Sequence, residues 1–451
     1  MRLLLYSRLL WPNSKRASFF SKEQFFDKFD FDLRDIYSAL THFDKIAEKL
    51  QQHLHEKVVE QYNRETDLIY YDVTNYYFET ETQDELRRKG YSKEGRKSPI
   101  VQMGLMMDKE SLPIAYKIFP GNTHDSQTLM PMLAQIKKKF KTKRIITVAD
   151  KGLNSGDNIV FNATLGDGYI FSKSVRGASA DFKEWVVNSS GYRNIGDEYK
   201  IKSKLVPDAE IKITVRQDGK KKKKKTVRVE QKWIAFYSEK YALRAKHKRW
   251  EVLAKAADMI KNPAKYKGVL DYGAAGYIKN LKVDKDSGEI LTASDVLYLD
   301  HERIAEEEKL DGYYAIITSE LDDSDEHIVS IYKGLWRIEE SFKISKSVLN
   351  TRPIFLQTEK HINAHMLICF IALLIGRIIE KRLDGKYTIK KITETLQKVA
   401  CSNISQNIWL FDHADDITDN LNAAFGTNFG LKNMTLQEIK NNLSLAKSSH
   451  R

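Results

Sequence analysis

The sequence has 451 residues, too many for one ordinary hydrophobic core, so we expect two or three domains. Hydrophobic residues make up 42% of the chain and charged residues 30%, a composition that excludes a disordered protein. Lysine and arginine outnumber aspartate and glutamate by 74 to 61, and the resulting net charge of +13 favours a polyanionic partner such as nucleic acid.

Cysteine usage and apolar runs indicate the cellular setting. Cys369 and Cys401 show no spacing typical of a zinc site, which fits a reducing, cytosolic protein. The apolar N-terminus is interrupted by Arg8, so we predict no signal peptide. The longest apolar run begins at Met366 and stops at Arg377. It is too short to cross a bilayer and predicts a buried core helix.

The first 66 residues are predicted to be helical, because apolar side chains recur at helical spacing. β-branched and aromatic residues then predict strands at 67–78, 100–107 and 112–119. The segment GNTHDSQTL follows and starts a helix, with Asp125 or Ser126 as its expected cap.

Two aspartates follow predicted strands. Asp72 lies near the end of the first strand, and Asp150 comes directly after the short buried strand at 145–148. Either aspartate alone could simply cap the next turn. Together they predict carboxylates that converge at one end of a mixed sheet. Another strand is expected at 168–172.

The segment 175–310 has a different character. Strands are predicted at 211–216 and 226–237, with Asp218-Gly219 and six consecutive lysines at 220–225 between them. A DG pair between strands predicts a hairpin, which places the lysines at its turn. A basic helix at 241–260 and a mostly β stretch at 272–299 follow. The segment DGYYAIITS, from residue 311, predicts a strand that returns to the first sheet.

Residues 331–353 are predicted to form one helix that carries a third carboxylate. At helical angles Tyr332, Glu339, Lys343 and Lys346 share one narrow face, beside an apolar stripe. The alternative interpretation is a solvated face with a Glu339–Lys343 pair worth a few tenths of a kcal/mol. Asp72, Asp150 and Glu339 together suit Mg²⁺, which prefers oxygen ligands. Two such ions would assist a phosphodiester displacement.

The segments YYDVTNYYFE, GNTHDSQTL, VADKGLNS, DGYYAIITS and Y-x6-E-x6-K followed by RP resemble the DDE transposases of bacterial insertion sequences. The resemblance spans about residues 1–383. It implies an α/β fold with an RNase H-like mixed sheet flanked by helices. It also implies that Asp72, Asp150 and Glu339 are the catalytic, metal-binding triad, with two Mg²⁺ ions and Mn²⁺ as a substitute.

The implied organisation has five parts: a helical N-terminal region at 1–66, the catalytic core at 67–174, a mostly β insertion domain at 175–310, the second part of the core at 311–383, and a helical tail at 384–451. Relatives usually have a longer N-terminal region, so an N-terminal truncation is expected. The resemblance further implies DNA hydrolysis and strand transfer at transposon terminal inverted repeats, and a homodimer on double-stranded DNA.

One position departs from the family signature Y-x2-R-x3-E-x6-K, because Leu335 occupies the arginine position. Arg337 lies almost opposite Glu339 on the predicted helix, so Lys343 is the better substitute. We expect Leu335 at the edge of the apolar stripe, where an arginine could extend to a phosphate and Leu335→Arg would keep the fold and tighten DNA binding.

Further candidates are less specific. Relatives hold a flipped base with an aromatic residue in the insertion domain, a role that Trp233 would fill, although a strand tryptophan is more often core. Lys220, Lys221 and Lys222 would contact DNA phosphates, or simply form a solvated turn. His361 and His365 stand at i, i+4 without a third metal ligand, which favours a packed helix over a zinc site.

The sequence therefore predicts a cytoplasmic, metal-dependent cut-and-paste transposase of a bacterial insertion sequence, associated with the nucleoid through DNA and not with a membrane. The alternative is a truncated, non-catalytic protein that binds DNA or full-length partners and inhibits transposition. The intact triad argues against that alternative, whereas Leu335 and the short N-terminus keep it open.

Overall fold

The computed structural model describes residues 1–140, 142–196, 199–215, 223–266, 272–283 and 290–448. They form two compact units. Unit 1 comprises Met1–Leu54, Glu110–Ile114 and Glu339–Arg451, and unit 2 comprises His55–Lys109 and Ala115–Ile338.

The strands, in chain order, are β1 (Leu68–Tyr77), β2 (Ile100–Asp108), β3 (Pro113–Pro120), β4 (Ile146–Ala149), β5 (Gly168–Lys173), β6 (Arg193–Ile195), β7 (Tyr199–Val215), β8 (Lys223–Tyr237), β9 (Ile278–Val283), β10 (Ile290–Leu299), β11 (Tyr313–Thr318), β12 (Cys401–Ser405), β13 (Ile408–Phe411) and β14 (Asn433–Thr435).

The α-helices are α1 (Arg2–Leu10), α2 (Lys15–Phe20), α3 (Leu33–Tyr62), α4 (Leu129–Phe140), α5 (Gly156–Thr164), α6 (Ala180–Val187), α7 (Glu239–Lys261), α8 (Tyr272–Ala275), α9 (His301–Glu308), α10 (Asp325–Lys333), α11 (Trp336–Ser347), α12 (Glu359–Arg382), α13 (Ile389–Lys398), α14 (Asp416–Phe425) and α15 (Leu436–Ser448).

A nine-stranded mixed sheet organises unit 2, in the order β3-β2-β1-β4-β5-β11-β8-β7-β6. β1 pairs antiparallel with β2, whereas β4 runs parallel to both β1 and β5. From β11 onward the pairing is antiparallel again. β2 is buried along its whole length, as expected of a strand covered on both faces. The predicted mixed α/β sheet flanked by helices is confirmed, and β11 returns to it as expected.

Three strands of the segment 175–310, β6, β7 and β8, extend this sheet, whereas β9 and β10 form a separate two-stranded sheet. β7 and β8 form a long antiparallel pair, and β8 joins β11 through pairs from Tyr313↔Tyr237 to Thr318↔Lys232. α7, α8, β9 and β10 share a separate small core around Met259, Tyr277 and Ile278. The five-part domain division stays a prediction. The turn at 216–222, with Asp218-Gly219, lies outside the described residues.

Unit 1 is built on α12, which contacts α1 and α13. This helix is long and apolar enough to cross a membrane by length and composition, with a mean hydropathy of 2.1, but 78% of its most apolar window is buried inside the protein. It is thus a core helix, longer than the apolar run alone indicated. The C-terminal part is not wholly helical as predicted, because β12, β13 and β14 form a three-stranded sheet there.

The predicted single helix over 331–353 is wrong, because α10 ends at Lys333 and α11 begins at Trp336. The backbone N–H of Gly334 donates to the carbonyl of Ile331 at 2.9 Å, so the i to i−4 pattern is broken at this point. The Tyr70 phenol donates to the same carbonyl at 3.0 Å. A Cβ on Gly334 would lie 2.1 Å from the Tyr70 hydroxyl, so only glycine fits here.

Candidate active site

Asp72 and Asp150 lie side by side at the end of the parallel β1–β4 ladder. The last paired residues of that ladder are Tyr71 and Ala149, so the two aspartates occupy the next position on each strand. Asp150 keeps an extended backbone, with φ −78° and ψ 170°, and therefore continues the direction of β4. Because neighbouring strands are about 4.8 Å apart, both carboxylates leave the same face of the sheet at close range.

Hydrogen bonds orient the Asp150 carboxylate. Ser172, which follows the β5 partner of Ala149, donates its hydroxyl to Asp150 Oδ1 at 2.8 Å. The Tyr332 phenol donates to the same oxygen at 3.3 Å. Tyr332 comes from α10, so a strand, a neighbouring strand and a helix of unit 2 together define this position. The Tyr332 phenol, predicted to share a face with Glu339 and to contact DNA, thus donates to Asp150, and its role toward DNA stays a prediction.

The electrostatics of the site indicate crowded carboxylates. Burial, together with the nearby charges of Asp150 and Asp125, raises the pKa of Asp72 to about 6. The Lys93 ammonium and the Val73 N–H, which donates to Asp72 Oδ1 at 2.7 Å, oppose this rise in pKa. Ionised Asp72 is therefore stabilised less in the folded protein than in water.

Asp125 is a member of this cluster that sequence reasoning placed in a different role. The expectation that Asp125 caps a helix is wrong, since no side chain caps the short 3-10 helix at Asp125–Gln127. The carboxylate instead lies 3.9 Å from the Lys93 ammonium, and burial raises the pKa of Asp125. Lys93, from the loop between β1 and β2, was also missed. GNTHDSQTL was a signal for Asp125, whereas no pattern in the sequence pointed to Lys93.

Glu339, Lys343 and Lys346 belong to unit 1, where all three lie on α11. Glu339 is exposed in the first turn of this helix, and Lys343 is exposed one turn later. The neighbouring Glu340 carboxylate lies 2.9 Å from Arg377, which is buried. Glu340 is thus held in an ion pair with Arg377, and Glu339 is the more exposed of the two glutamates.

Carboxylates are the appropriate donors for a hard divalent cation, and Asp150 is close enough for its charge to raise the pKa of Asp72. Within the described part of the chain, no three His, Cys, Asp or Glu side chains are clustered as a complete metal site. The membership of Glu339 in the triad stays a prediction.

Trp233 is half-buried in β8. Its indole N–H donates to Gln231 Oε1 at 2.9 Å, and its ring packs against Phe182 with 4.9 Å between the ring centroids. The ammonium groups of Lys204 and Lys173 lie 4.8 and 5.4 Å from the Trp233 ring centroid. This aromatic side chain is thus flanked by cations, and its role toward DNA stays a prediction.

The remaining DNA-contact candidates fall in two groups. Lys220, Lys221 and Lys222 lie outside the described residues, whereas the next three lysines begin β8 and are exposed. Leu335 is only 6% exposed, so this residue of the apolar stripe belongs to the core. The helix is interrupted at Gly334, so the angle on a single helix that placed Leu335 beside Tyr332 and Glu339 does not apply.

This chain is similar to known proteins in sequence and in structure. A family model described as "Transposase DDE domain" matches residues 65–375. No curated protein matches the sequence. Among solved structures, the piggyBac transposase synaptic complex with hairpin DNA is similar with a TM-score of 0.39 and 9% identity, covering 88% of this chain and 79% of that chain.

Two further similar structures are of the Mos1 transposase. Its paired-end complex with the left transposon end has a TM-score of 0.17 and 13% identity, covering 34% of this chain and 48% of that one. The Mos1 mariner paired-end complex with Mn has a TM-score of 0.16 and 14% identity, covering 35% and 54%. Similarity at these levels transfers no property, so the family match carries the identification. Because that match extends over most of the chain and includes both aspartates at the sheet edge, the chain belongs to the transposase DDE domain family and is a DNA transposase.

Proposed function

We propose that this transposase cleaves and joins DNA at transposon ends by a cut-and-paste route that depends on divalent metal ions, with Mg²⁺ as the physiological ion and Mn²⁺ as a substitute. The observation that carries the proposal is the placement of Asp72 and Asp150, one residue beyond the last pair of the β1–β4 ladder. The raised pKa of Asp72 adds support, because a bound cation would stabilise the ionised form of a carboxylate that is buried beside other carboxylates.

Asp72, Asp150 and Glu339 would hold the ions, which when bound lower the cost of charge on the attacking and leaving oxygens of the phosphodiester. The Ser172 and Tyr332 hydroxyls hold Asp150 in one orientation, so its second oxygen is kept for a ligand. Lys93 partly neutralises the cluster by its position beside Asp125.

The DNA partner would be double-stranded, with terminal inverted repeats and a target site bound by a homodimer in the cytoplasm of a bacterium. The net charge of +13 supports a phosphate-rich partner. The DNA-contact residues in this proposal are Tyr332, Lys343, Lys346, Trp233, Lys220, Lys221 and Lys222. In the hairpin route, a freed 3′-hydroxyl attacks the opposite strand, and the hairpin is reopened before joining to the target.

The test uses a labelled duplex that carries a transposon end with its flanking DNA, incubated with Mg²⁺ or with a chelator. Asp72→Asn, Asp150→Asn and Glu339→Gln are expected to reduce cleavage by more than ~100-fold, while DNA binding is retained. Ser172→Ala, which removes a support of Asp150, is expected to cost about 10–100-fold.

Glu340→Gln is the matched control for Glu339→Gln. It removes the ion pair with Arg377 and should lower stability while cleavage continues. If Glu339→Gln cleaved like the wild type and Glu340→Gln did not, the assignment of the third carboxylate would be wrong. If the wild type bound the duplex and cleaved none in Mg²⁺ or Mn²⁺, the non-catalytic inhibitor would be the better description.

A further inference from the structure

Unit 1 contains a cavity of about 350 Å³ that plays no part in the proposed cleavage. Its lining combines the chain after α1 with the segment after α11, and it includes the cationic side chains of Arg8, Lys15 and Arg352 as well as His365. No aspartate or glutamate is among the described residues that line it. A volume of this size is within the usual range for sites that bind small molecules.

Lys15 is the central feature of this cavity. Its side chain is buried, and its ammonium donates to Nδ1 of His365 at 3.3 Å. Nε2 of His365 lies 3.0 Å from the Thr351 carbonyl, so Nε2 carries the proton and Nδ1 is the acceptor. Burial and the neighbouring cations Lys15 and Arg8 hold the pKa of His365 well below its usual value, so this partner is neutral.

Arg8 adds a second buried cation. Its terminal nitrogens donate to the carbonyls of Leu349, Asn350 and Asn13, whereas its Nε is buried and has no hydrogen-bond partner. Burial and the charge of Arg8 lower the pKa of Lys15 to about 7. Lys15 is therefore only partly protonated near neutral pH, and a bound anion would favour its charged form while balancing the buried charge of Arg8.

We propose that this cavity binds a phosphate group, supplied either as inorganic phosphate or as the terminal phosphate of a DNA strand. Lys15 and Arg352 supply charged donors, and the Arg8 guanidinium lines the same cavity. Phosphate fits better than a carboxylate because its several oxygens can accept from three separate donors at once. The DNA source rests on the proposed function, whereas phosphate binding itself does not.

Sodium phosphate is titrated into the full-length protein by calorimetry near pH 7.5, with sodium chloride of equal ionic strength as the reference. The wild type is expected to bind one phosphate saturably. Lys15→Met should weaken binding by at least about tenfold, because it removes a charge-assisted hydrogen bond. Lys49→Met is the matched control, since Lys49 is exposed on α3 and outside the cavity lining. Its affinity should stay within about twofold of the wild type.

Arg352→Gln is the second variant, and it tests the same cavity if Lys15→Met does not fold. Duplexes that differ only in a 5′-phosphate or a 5′-hydroxyl then separate the two sources. A preference for the phosphorylated duplex that is lost in Lys15→Met identifies a DNA end, and equal affinity for both duplexes identifies free phosphate. The proposal is overturned if the wild type binds no phosphate, or if Lys15→Met and Arg352→Gln both bind it like Lys49→Met. Failure to bind either duplex would count against the proposed function and not against the phosphate site.

Discussion

Asp72→Asn is expected to stabilise the metal-free protein at neutral pH while abolishing cleavage. The pKa of Asp72 is raised from 3.8 to about 6 by burial and the adjacent carboxylates. The unfolded chain therefore releases this proton at a lower pH than the folded chain, so stability falls as the pH rises from 3.8 to about 6. Above that window the full penalty is present, and an uncharged asparagine removes it.

The magnitude follows from the same pKa values. A rise from 3.8 to about 6 corresponds to about 3 kcal/mol of lost stability. Partial solvent exposure of Asp72 screens the interaction, which reduces the expected gain to about 1–3 kcal/mol. A chain of 451 residues with about 2.1 cal/mol/K of unfolding entropy per residue gains roughly 1 °C in melting temperature per kcal/mol.

The assay is thermal unfolding of wild type and Asp72→Asn across a pH series, in a chelator and again in Mg²⁺. The difference should be near zero below pH 4 and should favour the variant above pH 6 in the chelator. In Mg²⁺ the wild type should recover, because only it keeps the full set of ligands. Asp208→Asn, at an exposed position in β7, is the control and should change little. A variant less stable than the wild type in chelator at neutral pH would refute the reasoning.

Three further predictions concern other parts of the chain. Burial and Arg64 lower the pKa of His55 to about 4, so between pH 6.5 and 4 only the unfolded histidine takes up a proton. In denaturant titrations, the stability of the wild type relative to His55→Gln should therefore fall by up to about 3 kcal/mol over this range. Leu335→Arg should destabilise the protein by about 3 kcal/mol or more, because it places a charged group at a buried position. The control, Leu335→Met, should cost under about 1.5 kcal/mol, and equal stability of the two variants would show that the arginine reaches solvent. Replacing the six lysines at 220–225 by serine should lower the slope of log K against log salt by up to about 0.9 per lost phosphate contact, and an unchanged slope would assign them to a solvated turn.

The positions of Asp72 and Asp150 could be predicted because short-range patterns determine them. The short buried strand β4 ends directly before Asp150, and its parallel pairing with β1 brings Asp150 beside Asp72, which lies inside β1. The order of the strands and the antiparallel extension through β8 and β7 do not follow from such patterns. They depend on pairings between segments far apart in the chain, which a periodicity does not encode.

Asp125 and Lys93 show why the rest of the site was harder to predict. Both come from irregular segments between strands, where hydrophobic period gives no information about side-chain direction. An aspartate before a helix has a local role that explains it well, so the sequence favoured a cap. Its carboxylate instead lies near Lys93, because the β1–β2 loop and the segment after β3 meet beside Val73 in β1.

The spacing Y-x2-R-x3-E-x6-K invites interpretation as one helix, but in this protein it spans two. Tyr332 lies in the last turn of α10 and hydrogen-bonds to Asp150 in unit 2, whereas Glu339 and the two lysines of the signature face lie on α11. Between the two helices, the Tyr70 hydroxyl occupies the space where a side chain of residue 334 would lie, and the next residue, Leu335, is buried. The departure at Leu335 is therefore a change in the core at a break between helices. It removes no exposed cation from the face of α11, and the phosphate contact proposed there would be made by Lys343 and Lys346, which that helix carries in any case.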